Sequence, residues 1–275
     1  MGGKLLASLL SRHLQTVQRI PATTLNSPIT FCFMTEPKTT LVQESEPDSS
    51  NLLRQFESES AKKQLQLIPQ LVSQGNLGLE ALMEFLLNHQ DAQPNLVMGK
   101  VYQALFQANT DISQEFLQKN FPTGVVPLNS AQNLDYQPLQ KLLAQQEFQA
   151  ADVLTLQNMC QLAGDSAKQR GWLYFTEVEN FPMIDLKTIN QLWLLHSEGK
   201  FGFSVQREMW LSLGKNFTKL WPKIGWKSGN NWTRYPQEFI WDLSAPRGHL
   251  PLSNQLRGSR VITSLLSHPA WSSNS

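Results

Sequence analysis

Apolar residues recur at three- and four-residue steps along residues 51–121, and this spacing predicts amphipathic helices rather than strands. Turn-forming residues interrupt the pattern at 75–76, 90–94 and 109–111. Because the connections are short, we predict an antiparallel helical bundle over this stretch. One helical-repeat pair is the alternative, although the sequence shows no convincing internal repeat that would prove it.

A second helical part follows the bundle. Prolines and a glycine mark residues 122–134 as an inter-domain linker. Apolar periodicity then predicts helices over 136–145, 148–162, 184–197, 204–213 and 252–267. No segment alternates as a half-buried strand does, so the predicted fold class is all-α, with a second domain over 135–271.

The segment 217–251 has no regular period, because glycines, prolines and asparagines break it while aromatic and cationic residues keep recurring. All eight tryptophans lie between 172 and 271, and four of them fall within 221–241. Loops of this length in compact domains are usually functional. Aromatic faces stack on flat apolar groups and cations meet acidic edges, so this long aromatic loop favours a cupped surface for a flat, anionic ligand.

The net charge of +1 conceals an asymmetry between the two halves of the chain. Residues 36–184 carry 9 basic and 17 acidic side chains, whereas 185–275 carry 11 basic and 5 acidic ones. We therefore expect the C-terminal part to meet an anion. Cys32 and Cys160 are too few for a disulfide framework or a zinc site, which fits buried thiols in a reducing compartment.

The first 50 residues are expected to lie outside the folded domains. Residues 36–50 are polar and acidic and are typical of a flexible lead-in. Residues 1–35 contain basic but no acidic residues and place leucines at helical spacing, as organellar transit peptides do. The alternative is that translation starts at Met34. No apolar run approaches the length that spans a bilayer.

Sequence motifs of catalysis are absent, including nucleophile elbows, phosphate-binding loops and metalloprotease helices. The histidines are scattered without metal-ligand spacing; we expect His196 to be a core or capping residue, and His249 is a weak candidate ligand contact. Glu177 and Glu179 are expected on a solvated face. We predict neither an enzyme, nor a metal site, nor a prosthetic group.

Arg257 and Arg260 stand three residues apart in NQLRGSR, so on a helix both guanidinium groups reach two carboxylates of one ligand. Surface pairing of these arginines with Glu238 and Asp242 is the alternative. Large aromatic residues also supply cores where regular packing is scarce. We therefore expect at most half of the tryptophans to contact a ligand.

From about residue 51 to 271 the chain resembles the Genomes Uncoupled family of tetrapyrrole-binding proteins, the regulators of magnesium chelatase in cyanobacteria and plastids. The resemblance is carried by FPTGVVPLNSAQNLDYQPLQ (121–140), GWLYFTEVENFPMIDLKTINQLW (171–193), GKFGFSVQREMWL (199–211) and the aromatic loop itself. It implies an N-terminal helical bundle packed on an all-α domain whose loops form a cupped, apolar cavity. It also implies binding of protoporphyrin IX and magnesium protoporphyrin IX.

The resemblance further implies contact with the large porphyrin-binding subunit of magnesium chelatase and stimulation of magnesium insertion, without chelatase activity. The implied ligand contacts fall on Phe175, Tyr235, Arg257 and Arg260. Some family members carry Trp at the position of Tyr235.

Two further candidate contacts, Trp232 and Phe239, come from the aromatic loop of this chain. We expect a monomer in a cyanobacterial cytoplasm or a plastid stroma, with peripheral association to a thylakoid membrane left open. Nucleic acid is not an expected partner. The alternatives are a single-stranded nucleic-acid module that uses aromatic stacking and basic charge, or a protein-interaction module without a ligand.

Overall fold

The structure, a computed structural model, describes residues 48–253 and 259–272, which contain helices and one short β-ribbon joined by turns and loops. The N-terminal helices are α1 Ser49–Glu57, α2 Ala61–Ser73, α3 Asn76–Asn88, α4 Leu96–Ala108 and α5 Asp111–Asn120. The next are α6 Gln137–Ala144, α7 Phe148–Leu162, α8 Asp165–Arg170, α9 Phe175–Val178 and α10 Met183–His196. The last are α11 Phe203–Ser212, α12 Phe217–Lys223 and α13 Arg260–Ser267. Strands β1 Lys227–Ser228 and β2 Asn231–Trp232 pair antiparallel.

The N-terminal helices pack closely where α2 meets α3. A Cβ atom on Gly78 would lie 1.8 Å from the carbonyl oxygen of Leu71, so only glycine permits this approach. Helix α4 begins where the Asn95 side chain accepts the backbone N–H groups of Val97 and Met98 at 3.0 and 3.1 Å. The helices predicted for this part are confirmed, with an additional break between α1 and α2.

Helix α10 joins the N-terminal helices to the rest of the chain. Leu195 packs against α4 at Gly99, where a Cβ atom would lie 2.8 Å from the Leu195 Cβ. On the other side of α10, the indole of Trp193 is stacked at 5.9 Å on Phe148 and donates its Nε1–H to Thr155 Oγ1 at 2.9 Å. Buried residues of both parts therefore form one continuous apolar core.

The linker over 122–134 is fastened to α10. Asp185 of that helix accepts the backbone N–H of Ala131 at 2.9 Å and the hydroxyl of Tyr136 at 2.8 Å. Thr188, one turn further along, donates to the carbonyl oxygen of Asn129 at 2.8 Å. The linker is thus held by side-chain hydrogen bonds, and the division into two domains at this point stays a prediction.

The all-α fold class is confirmed, and two details of the aromatic half differ from the prediction. The final helix begins at Arg260 rather than at 252, because the N–H of Leu252 donates to Asp152 of α7 at 2.6 Å in a non-helical segment. The long loop also contains helix α12 and the β-ribbon. The predictions made for residues 1–47 and for Arg257 lie outside the described residues.

Candidate functional site

A cavity of about 1110 Å³ opens between α7, the turn after α8 and two segments of the aromatic half. Its apolar lining includes Val153, Leu156, Trp172, Tyr235 and Leu252. The α7 residues recur at helical steps, so one face of this helix forms the wall. A cavity of this size, apolar with a few convergent polar groups, is typical of small-molecule sites.

Two buried polar side chains on α7 line the cavity. Asp152 is almost completely buried, and burial raises the pKa of its carboxyl to about 7 although it accepts the Leu252 N–H. The Nδ2 of Asn158 is buried without a hydrogen-bond partner among the described residues. Such a donor costs free energy when left unpaired, so it is suited to an acceptor that a ligand supplies. Nearby Cys160 is buried, which raises the pKa of its thiol.

The opposite wall is held by a clasp, which we define as Arg170, Trp172, Tyr174 and Glu177. The Arg170 guanidinium lies 4.8 Å from the Trp172 ring centroid and 4.5 Å from that of Tyr174. Its Nη2 donates to both Glu177 oxygens at 2.7 and 2.8 Å, and Glu177 also accepts the Tyr174 N–H at 2.7 Å. The expected solvated role is therefore wrong for Glu177, because this carboxylate fixes the turn that carries Trp172.

Phe175 and Arg260 are brought together by the packing of α9 on α13. The Arg260 guanidinium carbon lies 5.5 Å from the Phe175 ring centroid, within the range of a cation–π contact. Phe175 is half-buried at the start of α9. Arg257 belongs to the undescribed stretch 254–258, so the predicted pairing of the two arginines stays a prediction.

The other three predicted contacts occupy different environments. Tyr235 lines the cavity and is 49% exposed. Trp232 is 44% exposed on β2 and packs against Trp221 rather than lining the cavity. Phe239 is only 5% exposed and lies 5.2 Å from His249 between ring centroids, so it is part of the core. Of the six predicted contacts, Tyr235 is the one that lines the cavity among the residues that the structure describes.

Four of the eight tryptophans are buried, as expected of residues that supply a core: Trp193, Trp210, Trp221 and Trp226. The Trp221 and Trp226 rings stack at 5.4 Å with an interplanar angle of 7°. The remaining indoles are at least partly exposed. This division leaves half of the set accessible to a ligand or partner.

The histidines of this half are structural. His249 is buried; its Nδ1 lies 2.6 Å from the Ile224 carbonyl oxygen and its Nε2 accepts the Ile240 N–H at 3.2 Å. Both ring nitrogens are thereby used, which leaves neither for a ligand. His196 is confirmed as a core residue, and burial lowers its pKa to about 4.

Within residues 48–253 and 259–272, no group of three or more His, Cys, Asp or Glu side chains is placed to hold a metal ion. No helix in those ranges is long and apolar enough to cross a membrane. The clasp and the Asp152–Leu252 contact escaped sequence reasoning. The alternation of Arg170, Trp172 and Tyr174 along the sequence is a partial signal for the clasp. No sequence pattern near Asp152 indicates its hydrogen bond to Leu252, which lies 100 residues away.

Comparisons with known proteins agree with this architecture. A family model described as GUN4-like matches residues 129–269, and one described as an ARM-like repeat domain, GUN4-N terminal, matches residues 40–122. The chain is 55% identical over 224 residues to the Ycf53-like protein of Synechocystis sp., which covers 81% of this chain and 96% of that protein.

Two further relatives each match about half of this chain. The tetrapyrrole-binding protein, chloroplastic, of Arabidopsis thaliana is 40% identical over 142 residues, which cover 48% of this chain and 54% of that protein. The structure of GUN4 from Chlamydomonas reinhardtii is similar with a TM-score of 0.50 and 41% identity, over 53% of this chain and 95% of that chain. The chain belongs to the GUN4-like family, which is the Genomes Uncoupled family that its sequence resembles.

Proposed function

We propose that the cavity between α7 and the clasp binds a tetrapyrrole, with protoporphyrin IX and magnesium protoporphyrin IX as ligands. The observation that carries the proposal is a cavity of about 1110 Å³ that has Trp172 and Tyr235 in its walls. Membership of the GUN4-like family and the name of the Arabidopsis relative support it. Aromatic walls suit a flat macrocycle because both present large apolar faces.

The cations near the cavity suit the carboxylates of such a ligand. Lys168 lines the cavity, and Arg260 lies over Phe175 on the neighbouring helix pair. Either cation gains a charge-assisted hydrogen bond to a propionate, and the contribution is smaller where the pair stays exposed to water. Arg257 completes this set in our proposal.

Apolar burial of the porphyrin faces supplies enough free energy for binding at tens of micromolar. Covering about 400 Å² of a porphyrin at ~25 cal/mol per Å² yields roughly 10 kcal/mol. Association costs about 4 to 15 kcal/mol, so roughly 6 kcal/mol remains when that cost is near its lower end, which corresponds to a dissociation constant on the order of tens of micromolar. Micromolar affinity follows when the ring edges bury further area as well. Pre-organisation of the wall by the clasp keeps the cost low, because Trp172 and Tyr174 need no ordering when the ligand arrives.

We further propose that the ligand-bound protein contacts the large porphyrin-binding subunit of magnesium chelatase and stimulates magnesium insertion without catalysing it. In this role the protein delivers or holds the porphyrin, and the chelatase performs the chemistry. The organisms of the relatives, a cyanobacterium and a plant with a chloroplastic protein, support a cyanobacterial or plastid location.

A fluorescence titration tests ligand binding. Every tryptophan lies between 172 and 271, so porphyrin in the cavity is expected to quench the emission saturably and to shift the Soret band. Absence of both signals at tens of micromolar porphyrin, on the order set by the affinity above, would contradict the proposal. A protein that is silent toward porphyrin but still captures the chelatase subunit would instead be an interaction module.

A further inference from the structure

A second cavity, of about 680 Å³, lies where helices α4 and α5 meet the start of α6. Its volume is in the range of small-molecule sites. None of its lining residues lines the cavity proposed for the tetrapyrrole. We call it the amide pocket, because four glutamines contribute to its lining: Gln114, Gln118, Gln137 and Gln140.

The side-chain amide of Gln140 is buried in this pocket with most of its hydrogen-bonding capacity unused. Gln140 is 2% exposed. Its Nε2 donates to the Tyr102 hydroxyl oxygen at 3.5 Å, a long hydrogen bond, and its Oε1 has no hydrogen-bond partner within the described ranges. A primary amide has two N–H donors and an oxygen that accepts twice. Leaving such a group unpaired costs free energy, so this amide is suited to a ligand.

The surrounding backbone holds this amide in a fixed position. A Cβ atom on Gly124 would lie 1.6 Å from Gln140 Nε2, so the Gly124 backbone packs directly against the amide. The φ angle of +79° at this residue is one that glycine adopts without strain. At the rim, Gln137 Nε2 donates to the Pro122 carbonyl oxygen at 3.0 Å, which joins the start of α6 to the chain that leaves α5. The pocket is therefore largely pre-organised.

Aromatic rings form the apolar part of the lining. The half-buried ring of Phe106 is stacked on that of Tyr102, with 6.1 Å between centroids and an interplanar angle of 28°. Phe121, which follows α5, also lines the pocket. Aromatic side chains of this kind stack on flat rings. The walls therefore favour a planar ligand.

The charge of the lining favours a ligand that carries an anionic group. Lys141, on α6, lines the pocket with an exposed side chain, and the lining residues include no Asp or Glu. A cation without an acidic neighbour in the lining attracts one anionic substituent at the exposed side of the pocket. The buried side, in contrast, offers the neutral Gln140 amide.

This combination fits a nucleotide better than a peptide. An amide presents a donor and an acceptor side by side, which match two adjacent groups on a base edge, as when glutamine pairs with N6 and N7 of adenine. An extended peptide needs partners for successive backbone groups along a groove. Here the unused buried capacity is concentrated on one amide. We propose that the amide pocket binds a purine mononucleotide, with the base against Phe106 and Gln140 and the phosphate near Lys141.

Calorimetric titration of the full chain with AMP, in the absence of porphyrin, tests the proposal. We expect saturable binding with a dissociation constant on the order of 1 mM or tighter. Adenosine lacks the phosphate and is expected to bind a few-fold more weakly, and ribose 5-phosphate lacks the base and is expected to bind weakest. Bound AMP is also expected to raise the Tm, because it contacts α4 and α6 only in the folded protein.

Two variants separate the base contact from the phosphate contact. Gln140→Leu is expected to bind AMP at least fivefold more weakly. Its Tm should be no lower than that of the parent, because a buried unpaired amide is removed. Lys141→Gln changes an exposed side chain, so its folding is not at risk. It is expected to bind AMP about threefold more weakly and adenosine as the parent does.

The matched control is Gln149→Leu, which removes an exposed amide on α7 that lines neither cavity and is expected to bind AMP as the parent does. Absence of AMP binding at about 10 mM, well above the expected constant, would overturn the proposal. So would equal affinities in Gln140→Leu and Gln149→Leu, or ribose 5-phosphate binding as tightly as AMP. Since porphyrin is absent from this titration, its failure leaves the tetrapyrrole site untouched, and a failed porphyrin titration leaves the amide pocket untouched.

Discussion

The aromatic residues of the interior and those around the cavity differ in what covers their rings. In the interior, Trp193 has Phe148 on its ring and donates its Nε1–H to Thr155. Around the cavity and the ribbon, cations lie on the rings: Arg170 on Trp172 and Tyr174, Lys227 on Trp232, and Arg260 on Phe175. The same residue types thus serve two purposes, core packing and a water-facing surface.

The difference teaches how a protein keeps large aromatic side chains available to a ligand. A bare apolar patch invites aggregation, whereas a cation on one ring face hydrates the surface and holds the ring in place. Such a ring stays accessible without being mobile.

Removing an interior indole should cost far more stability than removing an exposed one. Trp193→Ala is expected to lower the free energy of unfolding by about 3–5 kcal/mol, because it creates a cavity and leaves the Thr155 hydroxyl without its indole donor. Trp232→Ala is expected to cost about 0.5 kcal/mol. Urea denaturation measures both, and similar losses in the two variants would contradict the division.

Asp152, at the cavity, should make the protein less stable as pH rises. Its folded-state pKa is raised from 3.8 to about 7, so its favourable contribution is present below pH 3.8 and is lost as pH rises to about 7. Asp152→Asn keeps an acceptor for the Leu252 N–H without the charge. We expect this variant to be more stable than the parent at alkaline pH, by up to about 4 kcal/mol. If the variant is less stable than the parent at alkaline pH, the raised pKa of Asp152 is contradicted.

His196, in the interior, should make the protein less stable as pH falls. Its pKa is lowered from 6.5 to about 4, so stability is fully present above pH 6.5 and is lost as pH falls toward 4, by about 3 kcal/mol. Burial also lowers the pKa values of His249 and His268. The difference between the parent and His196→Asn in the pH dependence of the free energy of unfolding isolates the contribution of His196. The same pH dependence in both proteins between pH 6.5 and 4 would contradict this contribution.

The clasp should matter more for the ligand than for the fold. Arg170→Ala frees Trp172 and is expected to weaken porphyrin binding by about tenfold, which corresponds to 1.4 kcal/mol. Arg170→Lys should restore part of the affinity, because a cation remains near both rings. The control is Arg234→Ala, whose exposed ion pair with Glu238 is worth about 0.5 kcal/mol or less. Equal affinities in the two alanine variants would show that the clasp does not shape the site.

The sequence predicts most helices correctly, because a helix places residues three and four positions apart on one face and apolar spacing shows that face directly. Apolar spacing alone places α7, which is observed at Phe148–Leu162 over the predicted range 148–162. The last helix shows the limit of this reasoning. Residues 252 and 253 continue a helical pattern, but Leu252 donates its backbone N–H to Asp152 of α7, and both residues are non-helical.

The site was harder to predict than the fold. Tyr235 is named by the family resemblance, whereas the aromatic loop itself suggests Trp232 and Phe239, neither of which lines the cavity. The burial of Phe239 was missed, because sequence spacing does not tell a core ring from an accessible one. That distinction depends on tertiary packing against His249 and Trp241.

Blocking the cavity tests the central claim most directly. Val153 lines the cavity on α7 and is 39% exposed, so Val153→Trp fills the space with little strain on the core. Ile112→Trp is the matched control, since Ile112 is 45% exposed on α5 and does not line the cavity. In Soret-band titrations with protoporphyrin IX, Val153→Trp is expected to lose at least tenfold in affinity, about 1.4 kcal/mol, while Ile112→Trp binds as the parent does. Equal affinities in both variants would contradict the assignment of this cavity as the tetrapyrrole site.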